Sequence, residues 1–331
     1  MKGNVYMPTY KKLLVTGHLG FIASSFCHRY RDRYAIAGVD FAGWGSMPEN
    51  LAEGVADFRA DIADAQRMRE IVDTVQPDAI VNFAAESHVD RSNDDDASFW
   101  RSNVMGARVL ALEAMRREVR MVHVSTDEVY GDAHENDAPW TERSPVNAKN
   151  PYSVTKAAAE MLLKVYGASE RHNLDIVITR GANTVGPRQF PEKAVPKAVW
   201  CFTHDQEFPL FRTPAKRMWL HVDDHAAGIE AALRMGNKGE VYNIAPSFAS
   251  EQMTATVIEM VRNIVGKGTI REVRDRANYD LRYWMDPARA KRELGWEAQY
   301  GLDATVQATV EWYLDNPQWL EAANRVLEGA R

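Results

Sequence analysis

Apolar residues follow two rhythms along the first half of the chain. Five short runs are apolar almost throughout: Lys12–Thr16 (KLLVT), Tyr34–Asp40 (YAIAGVD), Asp78–Ala84 (DAIVNFA), Met121–Ser125 (MVHVS) and Asp175–Thr179 (DIVIT). Unbroken runs of this kind fit parallel strands buried on both faces, not strands with one wet face. Between them, Asp64–Val75, Val104–Glu118 and Lys156–Arg171 carry helical patterns. Strand and helix in alternation predict an α/β fold built on a doubly wound parallel sheet.

The texture changes after residue 185. Prolines cluster at Pro187, Pro191, Pro196, Pro209 and Pro214, and tryptophans become more frequent. The expected division is a first domain over 1–185, with 219–245 returning to it, and a smaller α/β lobe over 186–218 and 246–331. Thr305–Leu327 reads as a closing helix. The acidic run Asp94–Asp96 reads as a solvated loop or a helix start.

Composition narrows the function classes. The chain has 331 residues, 45% hydrophobic and 26% charged, enough for a large core and too apolar for wholesale disorder. A net charge of −6 lacks the basic excess of a protein that grips nucleic-acid phosphates. No apolar run approaches the roughly 18 residues of a membrane span. The opening MKGNVYMPTYKK has no signal-peptide stretch, so a cytoplasmic protein is expected. Two cysteines, Cys27 and Cys201, make neither a disulfide framework nor a four-cysteine metal site, and no metal is expected.

Two local patterns carry chemistry. Thr16-Gly17-His18-Leu19-Gly20-Phe21-Ile22-Ala23 follows the first strand and opens a helix. Gly17 and Gly20 sit where the chain must turn tightly and let its backbone approach a pyrophosphate at a helix N-terminus; Ala23 stands in for a third glycine. Asp40 ends the next strand, placed to accept from ribose hydroxyls and to repel a 2′-phosphate, and no arginine follows it. A Rossmann domain that binds NAD in preference to NADP is the reading. Asp61 and Ile62 border the adenine on this view, although Asp61 fits a helix cap equally well. Tyr152-Ser153-Val154-Thr155-Lys156 then puts a phenol and an ammonium on one helix face. A nearby lysine favours a phenolate able to take a hydroxyl proton while a hydride leaves.

With Ser125-Thr126 ending a strand beside them, these motifs resemble the extended short-chain dehydrogenase/reductases, and among them the nucleotide-sugar 4,6-dehydratases. The matching stretches are TGHLGFIA, NFAAESHVDRS, HVSTDEVYGD, NPYSVTK, RQFPEKAVP, HVDDHAAGI and DLRY. Asp127 in Thr126-Asp127-Glu128 discriminates most, because related epimerases and decarboxylases hold a non-acidic residue there. The resemblance implies that Tyr152 is base at the sugar 4-hydroxyl, with Lys156 holding it acidic and touching the nicotinamide ribose. Thr126 would bond the 4-oxygen, Glu128 take the C5 proton, and protonated Asp127 release the 6-hydroxyl as water. It further implies that Leu19, Phe21, Ile22, Ala84 and Ala85 contact the cofactor. Glu86, Ser87, Asn183, Lys193, Arg217 and Arg276 would contact the sugar or its diphosphate. His88 reads as a structural hydrogen-bonder. A homodimer through the helices at Val104–Glu118 and Lys156–Arg171 is also implied.

Departures fall mainly in the second lobe, for example Arg180-Gly181-Ala182-Asn183-Thr184-Val185, Phe211-Arg212-Thr213-Pro214 and Glu251-Gln252; Trp44 replaces a usual tyrosine. They leave the nucleotide and hexose open, with UDP, GDP and amino sugars compatible alongside dTDP-glucose. Epimerisation, decarboxylation and non-catalytic NAD binding are the competing readings. Asp127 weighs against the first two, and the complete set of reactive residues against the third.

Overall fold

The computed structural model describes residues 10–275 and 280–329. In chain order its strands are β1 (Lys12–Thr16), β2 (Ala35–Asp40), β3 (Ala56–Arg59), β4 (Ala79–Asn82), β5 (Arg120–Thr126), β6 (Ile176–Gly181), β7 (Asn183–Val185), β8 (Glu207–Phe211), β9 (Lys216–His221), β10 (Val241–Ile244), β11 (Glu251–Met253) and β12 (Thr269–Val273). The α-helices are α1 (Phe21–Tyr30), α2 (Ala65–Val75), α3 (Val89–Asp94), α4 (Asp96–Phe99), α5 (Ala107–Arg117), α6 (Pro151–Ala168), α7 (Ala194–Thr203), α8 (Val222–Met235), α9 (Thr254–Val265), α10 (Leu302–Asp315) and α11 (Pro317–Gly329).

The main sheet has the order β10-β6-β5-β4-β1-β2-β3, and every neighbouring pair is parallel. Alternation along β1 shows why its sequence is apolar throughout. Leu13 and Val15 enter one core with Phe26 of α1 and Ile229 of α8, while Leu14 enters another with Met68 of α2, Leu110 of α5 and Leu163 of α6. Burying each such side chain contributes about 1.5–3 kcal/mol. This is the doubly wound parallel sheet expected. β3 lacks an apolar run because it is an edge strand, with half-exposed or exposed residues throughout.

A third core joins Phe202 of α7, Trp219 of β9, Val257 of α9 and Tyr313 of α10. Two small sheets accompany it, β11-β9-β7 and β12-β8. The chain returns from there to the main sheet through α8, which packs on α1, and β10, which pairs with β6.

Three elements differ from the sequence expectation. The closing helix is two, α10 and α11, because Pro317 lacks the N–H that would continue α10 and Asn316 has already left the helical conformation. The helix expected from Lys156 begins at Pro151, where Asn150 caps it: its Oδ1 accepts from Ser153 N (2.8 Å) and the Ser153 hydroxyl accepts from Asn150 N (3.2 Å). The helix expected at Val104 begins earlier, as α4, and runs through a π-helical stretch, Trp100–Gly106, before α5. That wider turn lets Asn103 bond both the N–H and the carbonyl of Glu86 (2.9 and 3.0 Å) and the Thr155 hydroxyl (3.0 Å). The acidic run at 94–96 straddles the break between α3 and α4, with Asp95 extended.

Candidate active site

The C-terminal ends of β1, β2, β4, β5 and β6 open on one cleft of about 450 Å3. An open α/β sheet offers ligands this edge, where loops diverge and helix N-termini point inward.

One end of the cleft is backbone. Gly17 has φ +73°, and a Cβ there would sit 2.9 Å from the Ala84 main chain, so β4 closes on the turn only because residue 17 has no side chain. Gly17 N donates to Val39 O (2.7 Å) and Gly20 N to Gly17 O (2.8 Å), which aims the start of α1 into the cleft beside Phe21 and Ile22. Asp40 is buried and accepts from Leu19 N, Ala42 N and the Ser46 hydroxyl at 3.1, 2.7 and 2.8 Å. A carboxylate has about four acceptor sites, so acceptor capacity remains for a ribose hydroxyl. Asp61 caps its own turn through Ala63 N (2.8 Å) and pairs with Arg101 (2.7 Å). A helix N-terminus stripped of side chains beside a buried carboxylate fits a dinucleotide with a free 2′-hydroxyl.

The other end is side chain. Thr126 ends β5, and Asp127 and Glu128 follow in a 3-10 turn. Burial, and then the charge of Glu128, pushes the Asp127 carboxyl up to about 8, partly offset by Arg217 and by a bond from the Thr126 hydroxyl (3.2 Å). One carboxyl of the adjacent pair is therefore held protonated near neutral pH. Glu128 accepts from the Asn150 amide at 3.2 Å. On α6, Tyr152 lies edge-on to Phe99. Lys156, four residues along, donates to Val124 O at 2.7 Å.

The phenol is less acidic than expected. Burial raises the Tyr152 pKa above its ordinary value, as do Glu128 and Asp127, and only the Thr126 hydroxyl lowers it. Lys156 is itself pushed down to about 8 by burial, with Glu160 opposing. Its ammonium is tied to the β5 carbonyl, so the protein alone supplies too little positive charge to offset the desolvation of a phenolate. Below it, Glu160 forms a buried pair with Arg180 (2.5 Å), which lies over the Tyr130 ring.

Loops from three strands meet over the cleft. Trp44, after β2, donates from Nε1 to Glu192 (2.5 Å) and meets Phe190 edge-on. Arg91 lies over the Trp44 ring (4.6 Å) and pairs with Glu86 (3.2 Å). Lys193 reaches Ser87 O at 3.2 Å. Glu86 is held above the usual carboxylate range, chiefly by burial. His88 caps α3, accepting from Arg91 N at 3.2 Å.

Most residues singled out in the sequence meet here. Gly17, Gly20, Phe21, Ile22, Asp40, Asp61, Ile62, Ala84 and Ala85 line the cleft with Glu86, Ser87, Thr126, Asp127, Glu128, Tyr152, Lys156, Asn183 and Lys193. Two predicted residues stand apart from that lining. Leu19 is fully buried, its N–H given to Asp40 and its carbonyl to the Asn50 amide (2.8 Å). Arg217 donates to Lys216 O and Asp280 O (2.8 and 2.6 Å) and lies over the Tyr283 ring, while its charge still lowers the Asp127 pKa. Arg276 lies outside the described residues. Sequence reasoning missed Asn150, Asn103, Arg91 and Glu192. Asn150 was the findable one, since an asparagine three residues before a serine at a helix start is a capping signal. The others depend on contacts between distant segments.

Comparison with known proteins agrees with this geometry. A family model described as GDP-mannose 4,6 dehydratase matches residues 14–309. A dTDP-glucose 4,6-dehydratase from Streptomyces antibioticus is 36% identical over 329 residues, covering 93% of this chain and 94% of its own. The low-salt glycan biosynthesis protein Agl12 of Haloferax volcanii is 38% identical over 320 residues, covering 92% and 99%. Among solved structures, a dTDP-glucose 4,6-dehydratase from Streptomyces venezuelae with NAD bound superposes with a TM-score of 0.88 at 35% identity, over 94% of this chain and 99% of that one. Cleft, reactive residues and near-full-length similarity converge, and the chain belongs to the GDP-mannose 4,6-dehydratase family of extended short-chain dehydrogenase/reductases.

Proposed function

We propose that the chain is an NAD-dependent 4,6-dehydratase of a nucleotide-diphospho-hexose, with dTDP-glucose as substrate and the 4-keto-6-deoxy sugar as product. The observation that carries this reading is Asp127, buried beside Glu128 and Tyr152 with its carboxyl pushed up to about 8. Oxidation alone needs one base; expelling the 6-hydroxyl needs an acid as well. The names of the relatives support the nucleotide and the hexose, and NAD in the Streptomyces venezuelae and Bacillus anthracis structures supports the cofactor.

The dinucleotide is held by Gly17, Gly20, Phe21, Ile22, Asp40, Asp61, Ile62, Ala84 and Ala85, the backbone end of the cleft. Bound there, NAD supplies a reversible hydride acceptor and, when oxidised, the positive charge that the phenol otherwise lacks. Tyr152 takes the proton of the sugar 4-hydroxyl, and Thr126 donates to the 4-oxygen. Lys156 keeps one N–H on Val124 O and has two more for the nicotinamide ribose. A ketone at C4 acidifies the C5 hydrogen, which Glu128 removes. Asp127 gives its proton to the departing 6-hydroxyl, which leaves as water; the hydride taken from C4 would then return to C6 and a proton to C5, which gives the 4-keto-6-deoxy sugar. Glu86, Ser87, Asn183 and Lys193 face the sugar and its diphosphate.

The lobes divide the work, 1–185 with 219–245 for the cofactor, 186–218 and 246–331 for the nucleotide sugar. We also propose a homodimer. Trp100, Leu112, Val154, Met161 and Val165 leave large apolar side chains exposed on the adjoining helices α4 to α6, with Val165 62% exposed. No described helix is long and apolar enough to cross a membrane.

The test is mass spectrometry of the protein with NAD and each of dTDP-glucose, UDP-glucose, UDP-N-acetylglucosamine, GDP-mannose and CDP-glucose. Loss of one water from dTDP-glucose is expected. An isomer of unchanged mass would replace the reading with epimerisation.

A further inference from the structure

Asn150 sits at the join of two functional elements. It precedes α6, which carries Tyr152 and Lys156, and it touches the turn that carries Glu128. Its own geometry settles the orientation of its amide. Oδ1 accepts from Ser153 N at 2.8 Å, so Nδ2 is the group that faces Glu128 Oε2 at 3.2 Å. Asn150 is 3% exposed, so its amide is withdrawn from water, while Glu128 is half-buried at the cleft. The turn that delivers Asn150 is tightly shaped: Asn147 N donates to Val129 O (2.9 Å), and Gly131, at φ +83°, leaves no room for a Cβ against Asn147 O (2.4 Å).

We propose that Asn150 is a positioning residue for proton abstraction at C5, its side-chain amide anchoring the Glu128 carboxylate to the start of the helix that bears Tyr152. The proposal rests on the dehydratase reading above. A donor on a carboxylate favours the charged, proton-accepting form, and a donor in a helix cap has a fixed direction. The same residue thereby sets both bases in one frame: the cap places Tyr152 for C4, and the amide places Glu128 for C5. Among the described residues no side-chain bond from Asn150 reaches Asp127, whose carboxyl accepts from the Thr126 hydroxyl instead.

Asn150→Ser separates the two jobs. Serine caps a helix nearly as well as asparagine but has no amide to reach Glu128. With dTDP-glucose and NAD, reduction of nicotinamide in the C4 oxidation step is expected to stay within about twofold of wild type. Exchange of the C5 hydrogen with solvent deuterium is expected to fall about ten- to hundredfold, the usual weight of a bond to a charged group. Asn150→Asp, which caps and places a second carboxylate at Glu128, should lower the exchange at least as far. Equal loss of both steps would make Asn150 a helix cap alone, and unchanged exchange would also overturn the proposal.

A second readout needs no substrate. The Glu128 carboxyl, followed by 13C NMR in the full chain, should titrate higher in Asn150→Ser. Asp127 on its own turn, Tyr152 on α6 and Tyr283 in the second lobe also interact with it and are common to both proteins. An unmoved titration would overturn the contact. Should no sugar reduce nicotinamide even in wild type, the dehydratase reading fails, and the NMR result still decides the role of Asn150 at Glu128.

Discussion

At the Gly17 end of the cleft the wall is main chain, and at the Tyr152 end it is side chain. The first end works by what is missing: Gly17 and Gly20 have no Cβ, so β4 and the start of α1 close on a space a pyrophosphate can fill. The second works by what is buried. Asp127, Tyr152 and Lys156 are all withdrawn from water, and each is pushed towards its neutral form. A backbone cradle needs only a local turn. A proton-transfer corner needs several charged groups held in one dry place, and it costs stability to hold them there.

Substitutions at the side-chain end should have the largest effects. Tyr152→Phe is expected to abolish nicotinamide reduction by substrate, a loss on the order of a thousandfold or more, read by reduced-nicotinamide absorbance. Asp127→Asn should spare that step and slow water loss by about a hundredfold or more, measured as product by mass spectrometry. Normal water loss would move the acid role elsewhere and blur the contrast between the two ends.

The backbone end should fail differently. Gly17→Ala forces a Cβ against the Ala84 main chain at a left-handed φ, a strain of about 1–3 kcal/mol. Melting temperature and NAD affinity are expected to fall together, whereas Tyr152→Phe leaves NAD affinity near wild type. A Gly17→Ala protein that binds NAD normally would show that the cradle is not needed.

The buried acid also has a pH signature. The Asp127 pKa is raised to about 8 from 3.8, so the folded state holds this proton more tightly than the unfolded chain. Its contribution to stability is present below about pH 4 and is lost as pH rises towards 8. Asp127→Asn should therefore gain melting temperature relative to wild type between these limits, with no further gain above. Dehydration should decline above about pH 8 as the acid ionises. Smallest of all, Trp44→Phe keeps a ring beside Phe190 and Arg91 but loses the bond to Glu192 across the mouth of the cleft, about 1 kcal/mol, and should speed NAD release several-fold in a stopped-flow exchange.

The legible parts of the fold were those with local causes. The strand at Lys12–Thr16 is apolar on both faces because both faces are buried, and its bounds are readable to the residue. The edge strand Ala56–Arg59 has one neighbour and no such run. The small strands β7, β8, β9, β11 and β12 owe their existence to pairing partners far along the chain, for example Lys216 with Met253. The break at Pro317 has a local cause too, since proline brings no N–H to continue the helix before it. The π-helical stretch at Trp100–Gly106 has no signature in spacing, because it exists to let Asn103 meet Glu86 and Gly106 meet Ile62.

By itself the sequence determined the doubly wound sheet, the glycine turn, the acidic residue that ends β2 and the short list of reactive side chains. Each of these follows from the chemistry of residues within a few positions of one another. Tertiary structure alone decided how far burial raises the Asp127 carboxyl, that Lys156 gives one N–H to Val124 O, that Leu19 turns inward, and that Asn150 joins Glu128 to the Tyr152 helix. These depend on burial and on contacts between remote segments. A pKa is set by how much water and which charges surround a group in space, and local spacing carries no record of either.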